Sequence, residues 1–317
     1  MQPGMSERRA PTRADDPATP APRSPWRRLR ASAGIAYGFI LPALVIYLFV
    51  ILFPVLQGLR FAFTDWNGLD REVHYIGLAN YSRMFSDLQF RAAIGTTLII
   101  AFSLVVIKVT LGLLLALVVD RNLKSRHYLR LVFFMPVVLT PVIVSYMWKY
   151  MFSNDGTLNT VLAMAGMEGL RWLGDPQLAL VSVIIVTSWQ SVGLSMVIYL
   201  AGLQAIPPEL HEAATIDGAD SLQRTWYVTL PMLGPATTVC VVIALIQGLR
   251  FFDQIYALTR GGPGYATETL STMIYRISFQ FGEFSYGAAV AVTFSFIVAV
   301  IVLPVMYFLR KREFASG

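Results

Sequence analysis

Six apolar runs, near residues 33–58, 93–119, 131–152, 178–203, 236–259 and 288–309, limit what this chain can fold into more than any other feature of it. A helix of about 20 mainly apolar residues crosses the roughly 30 Å hydrocarbon core of a bilayer, and every run reaches or passes that length. The expected fold class is therefore all-α, a polytopic membrane protein with about six transmembrane helices. Composition agrees, because only 14% of residues are charged and 56% are hydrophobic, whereas soluble domains carry about a quarter charged residues.

The first run follows Arg27, Arg28 and Arg30 and opens on small residues, as a secretory signal does. A signal's apolar region covers only about 7–15 residues, so this longer run is expected to stay in the membrane uncleaved. Residues 1–30 are rich in Pro, Arg, Ala and Ser and short of large apolar side chains. They cannot bury enough surface to fold and are expected to form a disordered basic tail, with 31–317 as the transmembrane domain. Cytoplasmic loops hold an excess of Lys and Arg. The tail, the loop with Arg121, Lys124, Arg126 and Arg130, and the end with Arg310, Lys311 and Arg312 therefore share one side. An even number of spans then puts both termini in the cytoplasm and 59–92, 153–177 and 260–287 outside. The connector 204–235 is also placed inside, by parity alone, since it is acidic. The net charge of +6 is mostly this asymmetry; it suggests anionic lipid as the tail's partner and gives no reason to expect nucleic acid. The single cysteine, Cys240, falls in a span and reads as packing.

Within 204–235, Pro207 and Pro208 suit the first turn of a helix, where a missing N–H loses no bond. Glu209 and Glu212 then sit near the positive end of its dipole, and Gly218 permits a sharp bend after it. The spacing predicts a short helix over 207–217. On this evidence alone the segment is an amphipathic connector on the membrane surface. Its residues Glu212-Ala213-Ala214-Thr215-Ile216-Asp217-Gly218-Ala219, with Leu230-Pro231 downstream, nevertheless resemble the E-A-A-x-x-D-G-A loop by which membrane subunits of binding-protein-dependent ABC importers dock onto their ATPase. The family usually has an aromatic where Thr225 stands, and Trp226 is the neighbouring substitute. The resemblance implies that Glu212, Ala213, Ala214, Asp217, Gly218 and Ala219 form the ATPase contact. It also implies a second permease subunit, an ATPase dimer and an extracytoplasmic sugar-binding protein as partners.

Two outer segments extend the resemblance, which runs from about 33 to 313. Phe63-Thr64-Asp65-Trp66 and Ile76-Gly77-Leu78-Ala79-Asn80-Tyr81 read on their own as an interfacial aromatic belt. Gly261-Gly262-Pro263-Gly264 reads as a turn. In their order, and with Ala266-Thr267-Glu268-Thr269-Leu270, they resemble the outer loops of permeases for maltose-type oligosaccharides or glycerol phosphate. The implied function is import of a sugar or oligosaccharide at the bacterial or archaeal inner membrane, with glycerol phosphate or a related polar solute as the alternative.

Thr187, Gln190, Ser191 and Leu194 share one face of the fourth run. They either line the solute path, with Trp189 beside them to stack on a sugar, or hydrogen-bond between helices. Gln247, Arg250, Phe251 and Gln254 repeat that spacing in the fifth run, where Arg250 and Asp253 are placed to pair as helix neighbours. Lys108 and Lys149 are expected near span ends, with their ammonium groups reaching the headgroups. The chain has no phosphate-binding G-x-x-x-x-G-K-[ST] loop, so ATP and Mg are expected on a separate chain, with no cofactor or metal here. His74, His127 and His211 are scattered, and no catalytic set converges. An ion-coupled secondary transporter is the rival class; its mark would be an inverted repeat with broken helices, which the sequence does not display.

Overall fold

A computed structural model describes residues 40–120 and 124–316, with side chains as far as Lys311. The expected tail, residues 1–30, and Arg121 lie outside the described residues. The chain divides into two units, one ending at Leu56 and one from Gln57 to Gly317. Helix α1 covers Ile40–Phe61, with a π-helical turn at Leu48–Leu52. Short α2 (Ala79–Ser86) leads into α3 (Leu88–Asp120). There follow α4 (Arg126–Val138), α5 (Pro141–Met151), α6 (Thr157–Met164) and α7 (Pro176–Gln204). The second half contains α8 (Pro208–Ile216), α9 (Ser221–Met232), α10 (Gly234–Leu249), α11 (Asp253–Leu258), α12 (Leu270–Tyr275, continued by a π-helical turn) and α13 (Phe284–Ser316). The all-α expectation holds, and the only extended pairing among the described residues is a bridge between Thr64 and Tyr75.

Four helices, α1, α3, α7 and α13, are long and apolar enough to cross a membrane, and there are six spans if two bent pairs each count as one. The third run is one of those pairs, not a single helix; of the other pair, only α10 falls in the fifth run, while α9 and the bend at Leu233 lie in the expected connector 204–235. Helices α4 and α5 meet at 101°. Leu139 and Thr140 between them are extended, with ψ of 145° and 141°, because the ring of Pro141 disfavours a helical residue before it. Helices α9 and α10 bend by 63°, and the run expected to continue to residue 259 stops at Leu249, with α11 as a separate piece.

The core lies where α3 packs along α7, with α10 against α3 and α4 against α7. Ala116, Val119, Met196, Tyr199 and Leu200 form one buried cluster; Ile100, Leu104, Val183, Val186 and Ile255 form another. Two crossings depend on a missing side chain. A Cβ on Gly193 would stand 2.2 Å from the Phe133 carbonyl oxygen, and one on Gly248 would stand 2.6 Å from the Ala101 Cα. Close backbone approach at small residues is how helices associate without a hydrophobic drive between them.

The motifs at 63–81 and 261–270 prove to be structural joints. Buried Asn80 donates to the carbonyls of Ala62 and Thr64, and Trp66 stacks on Phe61. Glu268, 3% exposed, accepts two hydrogen bonds from Arg276, at 2.6 and 2.9 Å. Thr269 caps α12. Arg83 pairs with Glu283 at 2.7 Å, and that bond raises the Arg83 pKa further above its ordinary value.

Candidate functional site

Helix α7 is the most buried of the long spans, and its start is set locally. Asp175 accepts from the backbone N–H groups of Gln177 and Leu178, both at 2.9 Å, while Pro176 occupies the first turn. One face of this helix opens on a cavity of about 560 Å³ bounded by α3, the α4–α5 break, α7 and the end of α10. Thr187, Gln190, Ser191 and Leu194 line it together with Gln247, Arg250 and Phe251. These seven of the residues singled out in the two runs thus surround one space, although they do not reach it as two continuous helical faces.

The hydroxyls of Thr187 and Ser191 donate to the carbonyls four residues back, at 2.7 and 2.6 Å. Their lone pairs remain as acceptors. Gln190, 7% exposed, is engaged at both ends. Its Nε2 donates to the Leu139 carbonyl at 2.7 Å, and its Oε1 accepts from Gln254 Nε2. The carbonyl that the α4–α5 break leaves without a helical partner is therefore held by α7, and α7 in turn by α11.

Four expectations need correction. Arg250 and Asp253 form no ion pair, because α10 ends at Leu249 and residues 250–252 are not helical, so a spacing of three no longer puts the two on one face. Gln254 does not line the cavity, and its amide donates to Gln190 instead. Trp189 faces a different, mainly apolar cavity with Ile107, Phe133 and Ser188, and its ring meets Trp148 edge-on. Lys108 does not reach the headgroups. It lies twelve residues from the end of α3, about 18 Å at 1.5 Å per residue, is 1% exposed, lines the same cavity and donates to Gln247 Oε1 at 2.5 Å. Lys149 does lie exposed in the last turn of α5. Sequence reasoning missed Lys108 as a lining residue, although a lysine inside a 33-residue apolar helix was the available signal.

The second site is the connector after α7. Helix α8 has no buried residue, so its form comes from local bonds. Glu209 lies in the first turn, whereas Glu212 falls in the second and gains less from the helix dipole than expected. The C-terminus closes by two reverse bonds, Ala219 N–H to Ala214 carbonyl at 2.9 Å and Gly218 N–H to Thr215 carbonyl at 3.1 Å, the Schellman arrangement. It needs a left-handed residue, and Gly218 has φ +81°. Asp220 and Gln223 then form a reciprocal cap on α9, and Arg224 donates to Thr215 Oγ1 at 3.1 Å. Glu212, Ala213 and Asp217 stay exposed, Ala214 and Ala219 half-buried. Ile216, Leu222, Trp226 and Tyr227 beside them are between 63% and 86% exposed. The two sites are joined through α7, which carries the cavity face and runs directly into the connector.

Residues 108–313 match the family model described as the binding-protein-dependent transport system inner membrane component. A multiple sugar-binding transport system permease protein of Streptococcus mutans is 36% identical over 87% of this chain and 95% of its own length. A trehalose/maltose transport system permease protein of Thermococcus litoralis is 35% identical over 82% and 88%. Among solved structures, a bacterial ABC transporter involved in the import of the acidic polysaccharide alginate superposes with a TM-score of 0.80 at 26% identity, covering 90% of this chain and 98% of that one.

Proposed function

This chain belongs to the family of binding-protein-dependent transport system inner membrane components, and from that premise we propose that it is the permease subunit of an ABC importer that moves a sugar or oligosaccharide across the inner membrane. The observation that carries the proposal is the single cavity that collects Thr187, Gln190, Ser191, Gln247, Arg250 and Phe251 between a broken span and the end of another. Such breaks open the backbone where it lines a cavity inside the membrane, and hydroxyl and amide groups beside an aromatic ring suit a sugar. The names of the relatives support the same solute class.

Energy enters through α8. An exposed helix closed by its own backbone bonds and bordered by Ile216, Leu222, Trp226 and Tyr227 is a preformed docking element. A separate ATPase dimer receives it and holds ATP and Mg, while Glu212, Ala213, Ala214, Asp217, Gly218 and Ala219 make the contact. A second permease subunit completes the path, and an extracytoplasmic binding protein delivers the solute to the side carrying 59–92, 153–177 and 260–287. Both termini are cytoplasmic. Glycerol phosphate or a related polar solute is favoured by one observation, the two cations Lys108 and Arg250 in the cavity wall. The deciding experiment is ATP-driven uptake in vesicles holding the assembled complex, with a panel of neutral sugars, acidic sugars and glycerol phosphate offered with the binding protein. Saturable uptake of a sugar is the expected result. Uptake that needs an ion gradient and no ATP contradicts the proposal.

A further inference from the structure

We propose that the cavity contains an anion subsite, in which the Lys108 ammonium and the Arg250 guanidinium receive a carboxylate or phosphate carried on the transported solute. This rests on the cavity lying on the solute's path. Lys108 is 1% exposed and its observed partner is neutral, the Gln247 side-chain oxygen at 2.5 Å. An ammonium has three donors, of which this bond uses one, and the residue lines the cavity. Arg250 lines the same space, and Asp253 is the one acidic residue among its lining. Neither cation lies within ion-pair distance of a carboxylate among the described residues, and one carboxylate cannot balance two cations.

Ionisable groups inside spans almost always pair with one another or mark a solute path. The neighbouring wall contains Leu104, Val137, Leu194, Ile246 and Phe251, and apolar surroundings strengthen the attraction for an incoming anion. A purely structural role for Lys108, tying α3 to α10 through Gln247, is a poorer account. A neutral amide would make the same tie without desolvating a charge. Arginine offers a planar fork that matches a carboxylate or phosphate, and lysine a point charge that either can share.

The test reads the charge of the cavity directly. Ser191→Cys is introduced with Cys240→Ser into the complex assembled with its partner subunits. The cysteine is reacted with anionic and cationic methanethiosulfonates of similar size, and each rate is divided by that with a free thiol. The anionic reagent is expected to be favoured, and Lys108→Gln to lower the anionic-to-cationic ratio about tenfold or more, as removal of a unit charge from a partly wetted site requires. A ratio at or below that of the free thiol, or one that Lys108→Gln leaves unchanged, overturns the subsite. Solutes at equal concentration then identify its ligand. Protection by trigalacturonate assigns a carboxylate, and protection by glycerol 3-phosphate a phosphate. Equal or better protection by neutral maltotriose overturns the anion subsite while leaving a sugar path through the cavity. Lack of any protection, together with uptake that survives full modification of the cysteine, overturns both.

Discussion

Replacing Gln190 by leucine tests whether the bridge between the α4–α5 break and α11 holds the cavity in shape. The substitution keeps most of the side-chain volume and removes both polar ends. It leaves the Leu139 carbonyl and the Gln254 amide without the partners they have in the structure. An unsatisfied buried polar group costs roughly 1–3 kcal/mol, so the two together amount to about 2–6 kcal/mol. The assembled complex is expected to unfold several degrees lower, with uptake falling alongside. Gln254→Leu removes one of the same bonds, so the two changes share a term. The double variant should lose less stability than the sum of the singles, by about 1 kcal/mol, as expected for groups in direct contact. Thermal unfolding of the four species of this cycle supplies the measurement. Additive losses, or a Gln190→Leu complex with unchanged stability and reduced uptake, would refute the bridge and make Gln190 a direct solute contact.

Three further outcomes follow from the same geometry. At Gly218 no atom lies within 4 Å of an added Cβ, so substitution acts only through φ, at about 1–2 kcal/mol for an ordinary residue. Gly218→Asn should therefore keep most of the coupled ATP hydrolysis while Gly218→Val loses up to about tenfold, and equal activity of the two variants contradicts the cap. Breaking the buried Glu268–Arg276 pair by Glu268→Gln should cost about 3–5 kcal/mol, visible as a lower unfolding temperature, with part of the loss recovered by adding Arg276→Met; a single variant of wild-type stability rejects this. For topology, cysteines at Leu69, 87% exposed, and Ser221, with Cys240→Ser, should react with an impermeant reagent from opposite sides, and labelling of Ser221 in intact cells opposes the orientation.

Helix α8 was legible nearly to the residue because its signals are local. Two prolines open it and one glycine closes it, so 207–217 differs from Pro208–Ile216 by a single position at each end. The long spans were legible from hydropathy for the same reason. The breaks were not, since residues 131–152 and 236–259 are apolar throughout most of their length and only backbone angles at Thr140 and beyond Leu249 divide them. Pro141 carries the first of these signals, inside an otherwise apolar run. The polar faces pointed to the right residues, yet the partners depended on tertiary contacts: Gln190 holds a carbonyl 51 residues away, Lys108 meets Gln247 139 residues away, and Trp189 turned to the other side of its helix. Periodicity states which side chains share a face, not what that face meets.

The most direct test of a solute path through this cavity places a cysteine at Leu194, which lines it and is half-buried, with Cys240→Ser, in the complex reconstituted with its ATPase and binding protein. ATP-driven uptake is followed as the cysteine is modified with a bulky thiol reagent. If solute passes here, uptake falls in proportion to the fraction modified, and saturating solute slows the modification. Uptake at the unmodified rate with Leu194→Cys fully modified would contradict the account.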